Sequence, residues 1–508
     1  MTEPTRIAAI IAVFVLAVGG AQGQHTLIDE VQRLGLPVEK QRLADYETNP
    51  AQMFFRDSIT VSTAFATADI LRQETPVMEQ LGDGHTLFGL GAQSYMRLTP
   101  ESVVWGGAQF VTGKYDNIRW TDCVDYLRVA PYVLGDEAGG DLSTRQYSFS
   151  GGYSRRRGRW TWGIDAAYRA EIAYRNRDPR VKTIVSDLDL RLGGTYAAGT
   201  HSVGLAAALN VYNQSCDLDF YSPINTIDTY TLTGMGTFYR RFMGNTNKNS
   251  GYSSLGWSVS AQWLPHDSRG LSAQIDYTFF RMGQQLRNFN NITLGYTDNS
   301  AVSFSASYGA DLTQALLFCP RIEGRYATRK GTENLFGTAA GASYDKIGSR
   351  SPYSLSELGA SLSLPLQVAF GTSFVTVEAA VAYDRSLEKY TEPLRKLSAS
   401  HLTPSASLSF SSQTHSGWLW SLGAETGYAK AWSPAPVLTG LDTSSALGEC
   451  VTNNFAMLCA DRSIQTAHAG ISRSFSGFVL SLTASFNHTE YRGKGSCNHT
   501  ALALSAAF

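Results

Sequence analysis

The residues with the most chemistry in this 508-residue chain are charges at alternate positions. Asp165, Arg169 and Glu171 share one parity within 160–174, and Asp187, Asp189 and Arg191 share one parity within 184–196. Residues two apart in a β-strand lie on one face, so each triplet is a charged stripe if these segments are strands. If the two segments pair across an external loop at 175–182, positions summing to about 356 stand opposite each other. Asp165 then faces Arg191 and Arg169 faces Asp187, and opposite charges meet twice. The simplest role for such a ladder is a salt-bridged wall; the alternative is a selectivity element in an open pore. Arg321, Glu323, Arg325, Glu357 and Glu378 add charges of both signs to the same kind of face. A mixed lining suits a packed or narrow, weakly selective lumen better than a one-sign ion filter.

Cysteine and histidine offer less. The six cysteines show no CxxC spacing, so a thiolate metal site is not expected. In an oxidising compartment the pair most readily joined is Cys450 with Cys459, because both fall within one expected external loop, 433–462. Cys123, Cys216 and Cys497 map to loops or strand ends on the same side, and Cys319 to a strand at a polar position. The nine histidines are scattered with no HxxxH pair, and each reads as an interfacial or loop residue. His488 and His499 face each other near one rim with differing parities. No cofactor motif and no catalytic set emerges, and the glycine pairs Gly151-Gly152 and Gly193-Gly194 are spaced for strand bends and close packing, not for phosphate cradles.

The elements that carry these residues are strands. Trp160, Trp162, Ile164, Ala166, Tyr168, Ala170, Ile172 and Tyr174 alternate with Thr161, Gly163, Asp165, Arg169 and Glu171. Leu255, Trp257, Val259, Ala261 and Trp263 alternate with small polar residues, as do Leu271, Ala273, Ile275, Tyr277 and Phe279. The segments run to about ten residues or more, the length a tilted strand needs to cross a bilayer, and many end in aromatic residues at girdle positions. A soluble sandwich would bury the apolar row, but its strands need be neither so long nor so regularly aromatic-ended. The pattern predicts an all-β, transmembrane, antiparallel up-and-down β-barrel of 16 to 20 strands over 57–508. Short inner turns alternate with long outer loops; Arg155-Arg156-Arg157-Gly158, Ala197-Ala198-Gly199, Asp298-Asn299 and Ser474-Phe475-Ser476-Gly477 read as inner turns. The stretch Tyr230 to Tyr239 fits either a membrane strand or an external hairpin.

Arg6, the apolar run Ile7–Val18 and the small residues to Gly23 read as a signal peptide over 1–23, which implies export. Residues 24–56 read as an amino-terminal periplasmic or plug segment, with helical spacing at Leu27, Val31, Leu34 and Leu36. Leu502, Leu504 and Phe508 form an alternating terminal strand ending in an aromatic residue, which resembles the signal read by the outer-membrane barrel-insertion machinery. With 42 Lys+Arg against 43 Asp+Glu there is no basic stripe, and a nucleic-acid partner is excluded.

Leu98-Thr99-Pro100-Glu101-Ser102, Trp105-Gly106, Trp120, Asp125-Tyr126, Pro131-Tyr132, Gly139-Gly140-Asp141-Leu142 and Tyr147 to Tyr153 resemble an uncharacterised family of outer-membrane barrels from Bacteroidota. Thr121 and Cys123 depart from the Asn and Ser of that pattern. The resemblance implies a barrel in the outer membrane, with lipids around it and no assigned substrate or catalytic residue. Asn49-Pro50-Ala51 resembles a motif near the start of several barrel families, including fatty-acid transporters, whose amino-terminal segment plugs the lumen. The expected function is a channel or transporter for an unidentified solute. The alternatives are a surface barrel that holds a ligand or partner lipoprotein through long external loops, and, less in keeping with the residues, a rim hydrolase.

Overall fold

The computed structural model describes residues 46, 48–222, 227–266, 269–340, 343–414 and 416–508. The signal-peptide reading and the helical spacing at 27–36 lie outside them. Eighteen strands form one closed antiparallel barrel: Val61–Gln73 (β1), Gly84–Thr99 (β2), Ser102–Ile118 (β3), Gly140–Arg157 (β4), Trp160–Tyr174 (β5), Arg180–Ala198 (β6), His201–Asp219 (β7), Lys248–Pro265 (β8), Gly270–Leu286 (β9), Ile292–Thr313 (β10), Arg321–Ala340 (β11), Ser343–Phe370 (β12), Ser373–Tyr390 (β13), Arg395–Gln413 (β14), Trp418–Trp432 (β15), Arg462–Phe475 (β16), Phe478–Tyr491 (β17) and Gly495–Ala507 (β18). Each strand pairs with its sequence neighbour, and β1 closes the ring on β18, from Thr63 opposite Ala507 to Gln73 opposite Cys497. Phe508 completes the seam by exchanging backbone hydrogen bonds with Ser62 (2.8 and 2.9 Å). Leu502 and Leu504 pair with Ala68 and Ala66 on the outer face.

Alternation sorts the side chains. Trp160, Ile164 and Leu255 are 61%, 51% and 60% exposed, pointing to lipid, whereas their neighbours Thr161, Asp165 and Ser254 are buried toward the lumen. In water this apolar exterior would be an aggregation hazard; in a bilayer it is the favoured surface.

One set of connections is short: residues 100–101, 158–159, 199–200, 371–372 and 476–477 each join two long strands. The other set includes 119–139, 220–247 and 433–461. In this class of barrel the short turns are periplasmic and the long loops external. Asp298-Asn299 corrects the turn expectation: both residues sit within β10, Asp298 paired with Arg281 (2.6 Å) and Asn299 accepting from Arg329 (2.6 Å). Their turn-forming chemistry is overridden because each finds a charged partner on a neighbouring strand. Cys319 is likewise outside a strand, buried next to the short strand Leu316–Phe318.

The residues Tyr230 to Tyr239 do not cross the membrane. Thr229–Gly234 and Thr237–Phe238 form a hairpin that pairs with Val133–Asp136 from another external loop, giving a small three-stranded sheet at the outer end. A helix, Ala446–Leu458 (α1), packs there too, its start capped by the Ser445 side chain accepting from Gly448 N–H (3.2 Å).

Val259 lies on the lipid face midway along β8, and Ser260 next to it faces the lumen. Val259→Arg is expected to destabilise the folded barrel by about 2–4 kcal/mol, the cost of a cation at mid-bilayer. Ser260→Arg should cost much less. Urea titrations of both variants in lipid vesicles, followed by tryptophan fluorescence, check the difference.

Candidate functional site: an asymmetrically filled lumen

The inner end of the lumen is occupied by the segment that precedes β1. Gln262 of β8 donates to the Tyr46 carbonyl (3.2 Å) and to Thr48 Oγ1 (3.3 Å), and Gln274 of β9 donates to the same hydroxyl (3.2 Å). Asn49 is fully buried; its side chain accepts from Ala51 N–H (3.0 Å) and donates to the Gly194 carbonyl (3.4 Å). Tyr95 OH donates to the Met53 carbonyl (2.9 Å), and the Arg97 guanidinium donates to the Phe54 and Asp57 carbonyls (2.8 Å each). Backbone polar groups of an irregular segment are thus satisfied by side chains of the wall, which is what burial inside a barrel requires. Space comes from missing side chains: a Cβ on Gly163 would collide with the Pro50 carbonyl, and one on Gly193 with the Asn49 amide. These are the luminal glycines of the Gly193-Gly194 kind that the sequence marks for close packing.

At the outer end, residues 119–139 turn inward. Trp120 has φ 58°, in the left-handed region, so the chain reverses at the end of β3 instead of continuing outward. Trp120 N–H and Asp122 N–H then bond back to the Asp136 and Leu134 carbonyls (3.0 and 2.8 Å). A short helix, Tyr126–Val129, lies at the tip, and Arg329 of β11 caps its end by donating to the Leu127 and Ala130 carbonyls (2.8 Å each). Trp120, Cys123, Val129 and Val133 join Val185, Tyr212, Tyr252 and Met282 of the wall and Leu447 and Cys450 of α1 in one buried cluster. At the base of the loop Asp136 and Arg175 form an ion pair of 2.6 Å with side chains 1% and 3% exposed, and Arg175 also donates to the Pro179 carbonyl (2.8 Å). The residues of the family resemblance that fall between Trp120 and Leu142 lie in this loop or at its ends.

The predicted charge ladder is the surface on which this loop rests. Asp165 stands opposite Arg191 and bonds it at 2.7 Å; Arg169 stands opposite Asp187 at 3.5 Å. Arg169 also contacts Asp125 of the loop and Glu171 (2.8 Å), and Arg128 of the loop reaches Asp187 (2.9 Å) while lying 4.0 Å over the Tyr212 ring. Tyr212 OH donates to Asp125 (2.8 Å), Thr144 donates to Glu171 (2.7 Å), and Asn210 bridges Asp187 and Asp189 (2.9 and 2.8 Å). The strand pairing is legible from parity; the third layer, Asp125 and Arg128, is not, because nothing local says that the loop folds inward.

The cysteines rearrange in the same way. Cys450 and Cys459 are both free thiols. Cys450 is the fifth residue of α1 and Cys459 lies just past its end, about 13 Å apart at helical rise, too far for a disulfide. The expected external loop contains a helix, and that overturns the pairing. Instead Cys123 and Cys216 are buried with their sulfurs 4.0 Å apart, beside Asp122 and Thr183. Burial pushes the Cys123 thiol well above its ordinary pKa and raises that of Asp122, whose carboxylate accepts from Ser250 (2.6 Å) and Tyr252 (3.0 Å).

The opposite wall is covered at its outer end, where Tyr353, Tyr390 and Leu397 are buried with Met235 of the hairpin and against Val451 and Phe455 of α1, and is open below that. Glu357, Asp384, Glu425 and His468, at luminal positions of β12, β13, β15 and β16, are exposed to solvent. Cavities punctuate the interior among the described residues. An inner one of about 560 Å³ is lined by Trp105, Asp165, Arg191 and the 48–57 segment. A second of about 390 Å³ lies along Asp276, Arg321, Glu323, Arg325 and Asp384. A third, about 520 Å³ at the outer mouth, is lined by Arg240, Glu333, Arg350, Arg395 and Tyr390. Arg321 pairs with Glu323, and Arg350 with Glu333 (2.9 Å), so both signs are present throughout.

A convergence that sequence reasoning missed lies at the barrel seam. Asp69 of β1 accepts from His85 of β2 and from His499 of β18 (3.0 Å), all on luminal faces. Residues 69, 85 and 499 could be joined only once β1 was known to close on β18. His488, by contrast, bonds Asn498 (2.8 Å) and does not meet His499.

A family profile matches residues 50–508, the whole barrel and the segment from Pro50 that leads into it. The chain belongs to DUF6850, a family of unknown function. No curated protein matches the sequence. Among solved structures it is similar to a mutant of the ferric enterobactin receptor PfeA from Pseudomonas aeruginosa, at 8% identity over 89% of this chain and 81% of that one, with a TM-score of 0.38. It is also similar to the copper transporter OprC (9% identity, 86% and 62% covered, TM-score 0.43) and to the ferric citrate transporter FecA in its unliganded form (10%, 88% and 78%, TM-score 0.35). These likenesses say nothing about a ligand for this DUF6850 barrel.

Breaking one half of the buried Asp136–Arg175 pair, with Arg175→Met or Asp136→Leu, is expected to cost about 3–5 kcal/mol by leaving a charge unpartnered. The double replacement should recover most of that loss. A double-mutant cycle on thermal unfolding measures it, with loop release read by protease cleavage between residues 119 and 139.

Proposed function

We propose that this protein is an outer-membrane channel or transporter for small polar solutes, exported by its amino-terminal leader, with a lumen narrowed on one side by its own chain. The observation that carries this reading is the asymmetry of the interior. One arc, β2 to β9, is packed by the 46–58 segment and the 119–139 loop, while the arc from β12 to β16 presents Glu357, Asp384, Glu425 and His468 to water. An 18-strand barrel is wide enough to hold an aqueous path beside such filling. The mixed charges of those cavities suit a weakly selective passage, since no ring of one sign excludes either anions or cations.

The binding-barrel alternative draws on the outer cavity of about 520 Å³ with its Arg240, Arg350 and Arg395 side chains. It is the weaker reading because the long loops fold into the mouth and pack against each other instead of extending as free arms. For the rim-hydrolase reading, His85 and His499 near the outer rim are hydrogen-bonded to Asp69, not to a hydroxyl or thiol.

Purified protein in planar bilayers is expected to conduct small ions with little preference for charge. Gly193→Val, which pushes on Asn49, and removal of residues 46–57 should each raise the conductance several-fold. A barrel that stays closed to ions in the native form and in both variants would sink the transport reading.

A further inference from the structure

We propose that Asp69, His85 and His499 form a luminal binding site for a divalent transition-metal ion, Zn²⁺ or Cu²⁺. A carboxylate oxygen and two imidazole nitrogens from three strands lie within 4.8 Å of one another. Both imidazole Nε2 atoms point at the same oxygen, Asp69 Oδ1. The register explains the convergence. His85 and His499 are each paired directly with Leu71, one from either side of β1, so their rings flank that strand and lean over Asp69 two residues away. The Tyr115 ring packs edge-to-face with the His85 imidazole, ring centroids 5.8 Å apart.

The composition of the cluster favours a metal over a simple ion pair. Two neutral imidazoles and one carboxylate are the donor set of borderline cations, with coordination positions left for water or a further ligand. Among the described residues no Arg or Lys competes for Asp69: the nearby Arg72 projects from the opposite face and pairs with Asp116 (3.1 Å). The side chains are 20–39% exposed, so water and ions reach the site. Its place, four residues from the outer end of β1, sets it near the external mouth. A three-ligand site of this kind keeps coordination positions open, in contrast to a closed four-ligand structural site.

The inference goes beyond the transport reading and does not depend on it, since binding is measured on solubilised barrel with no flux across a membrane. Full-length protein purified without a polyhistidine tag is dialysed against ZnCl₂ or CuCl₂, and bound metal is quantified. The native barrel is expected to hold one equivalent at micromolar free ion. Asp69→Asn, His85→Gln and His499→Gln should each weaken binding at least about tenfold, the loss that even outer-shell partners produce. His468→Gln, luminal on β16 and outside the cluster, should bind like the native protein. Heat-modifiable electrophoretic mobility confirms that each variant is folded, and electron paramagnetic resonance of the Cu²⁺ form should show two nitrogen ligands. No bound metal in the native protein, or an unchanged equivalent in a folded His85→Gln/His499→Gln double variant, overturns the proposal.

Discussion

In hydrocarbon no water is available to satisfy backbone N–H and C=O groups, so a sheet that crosses a membrane must have no free edge. Everything else in this molecule follows from the closure of β1 on β18. Closure determines the strand count, and eighteen strands enclose a lumen too wide for wall side chains to fill. It also joins residues near the two ends of the described chain, bringing Asp69 and His499 together although 430 positions separate them.

The width of the lumen sets the second problem, and the chain resolves it unevenly. Irregular backbone at membrane depth is tolerated only where its polar groups find partners. The 46–58 segment finds them in Gln262, Gln274, Tyr95 and Arg97, side chains that a strand pattern alone would register merely as polar. The 119–139 loop finds them in the charge ladder. Arg169 and Asp187 lie close enough to pair, but they also bind Asp125 and Arg128, so the ladder acts as a dock more than as a wall. Among the described residues no such segment covers Glu357, Asp384, Glu425 and His468 on the β12 to β16 arc, and the interior there stays wet.

The filling also explains which residue types the lumen tolerates. Glycines at 163 and 193 are there because Asn49 and Pro50 occupy the volume their side chains would need. Buried polar atoms are costly unless paired, and the network around Asp125, Arg169, Glu171 and Tyr212 meets that demand with contributions from both wall and loop. Removing the loop would therefore leave wall charges exposed to water, not unsatisfied in a dry core. The barrel itself does not need the loop to close.

By itself the sequence determined the architecture and part of the register. Period-two alternation assigns lipid and luminal faces without knowledge of the neighbours, because the side-chain period of a strand is local. The same locality allowed Asp165 to be set opposite Arg191 across one hairpin. It failed at Asp298-Asn299, where turn-forming residues were overruled by Arg281 and Arg329 on adjacent strands, and at Cys450 and Cys459, where a helix separated two residues taken as neighbours in a loop. Tertiary structure alone decided what fills the lumen and what meets at the seam. Whether a loop folds outward or inward depends on contacts with strands far away in sequence, and Asp69, His85 and His499 become one site only after eighteen strands have curved through a full circle.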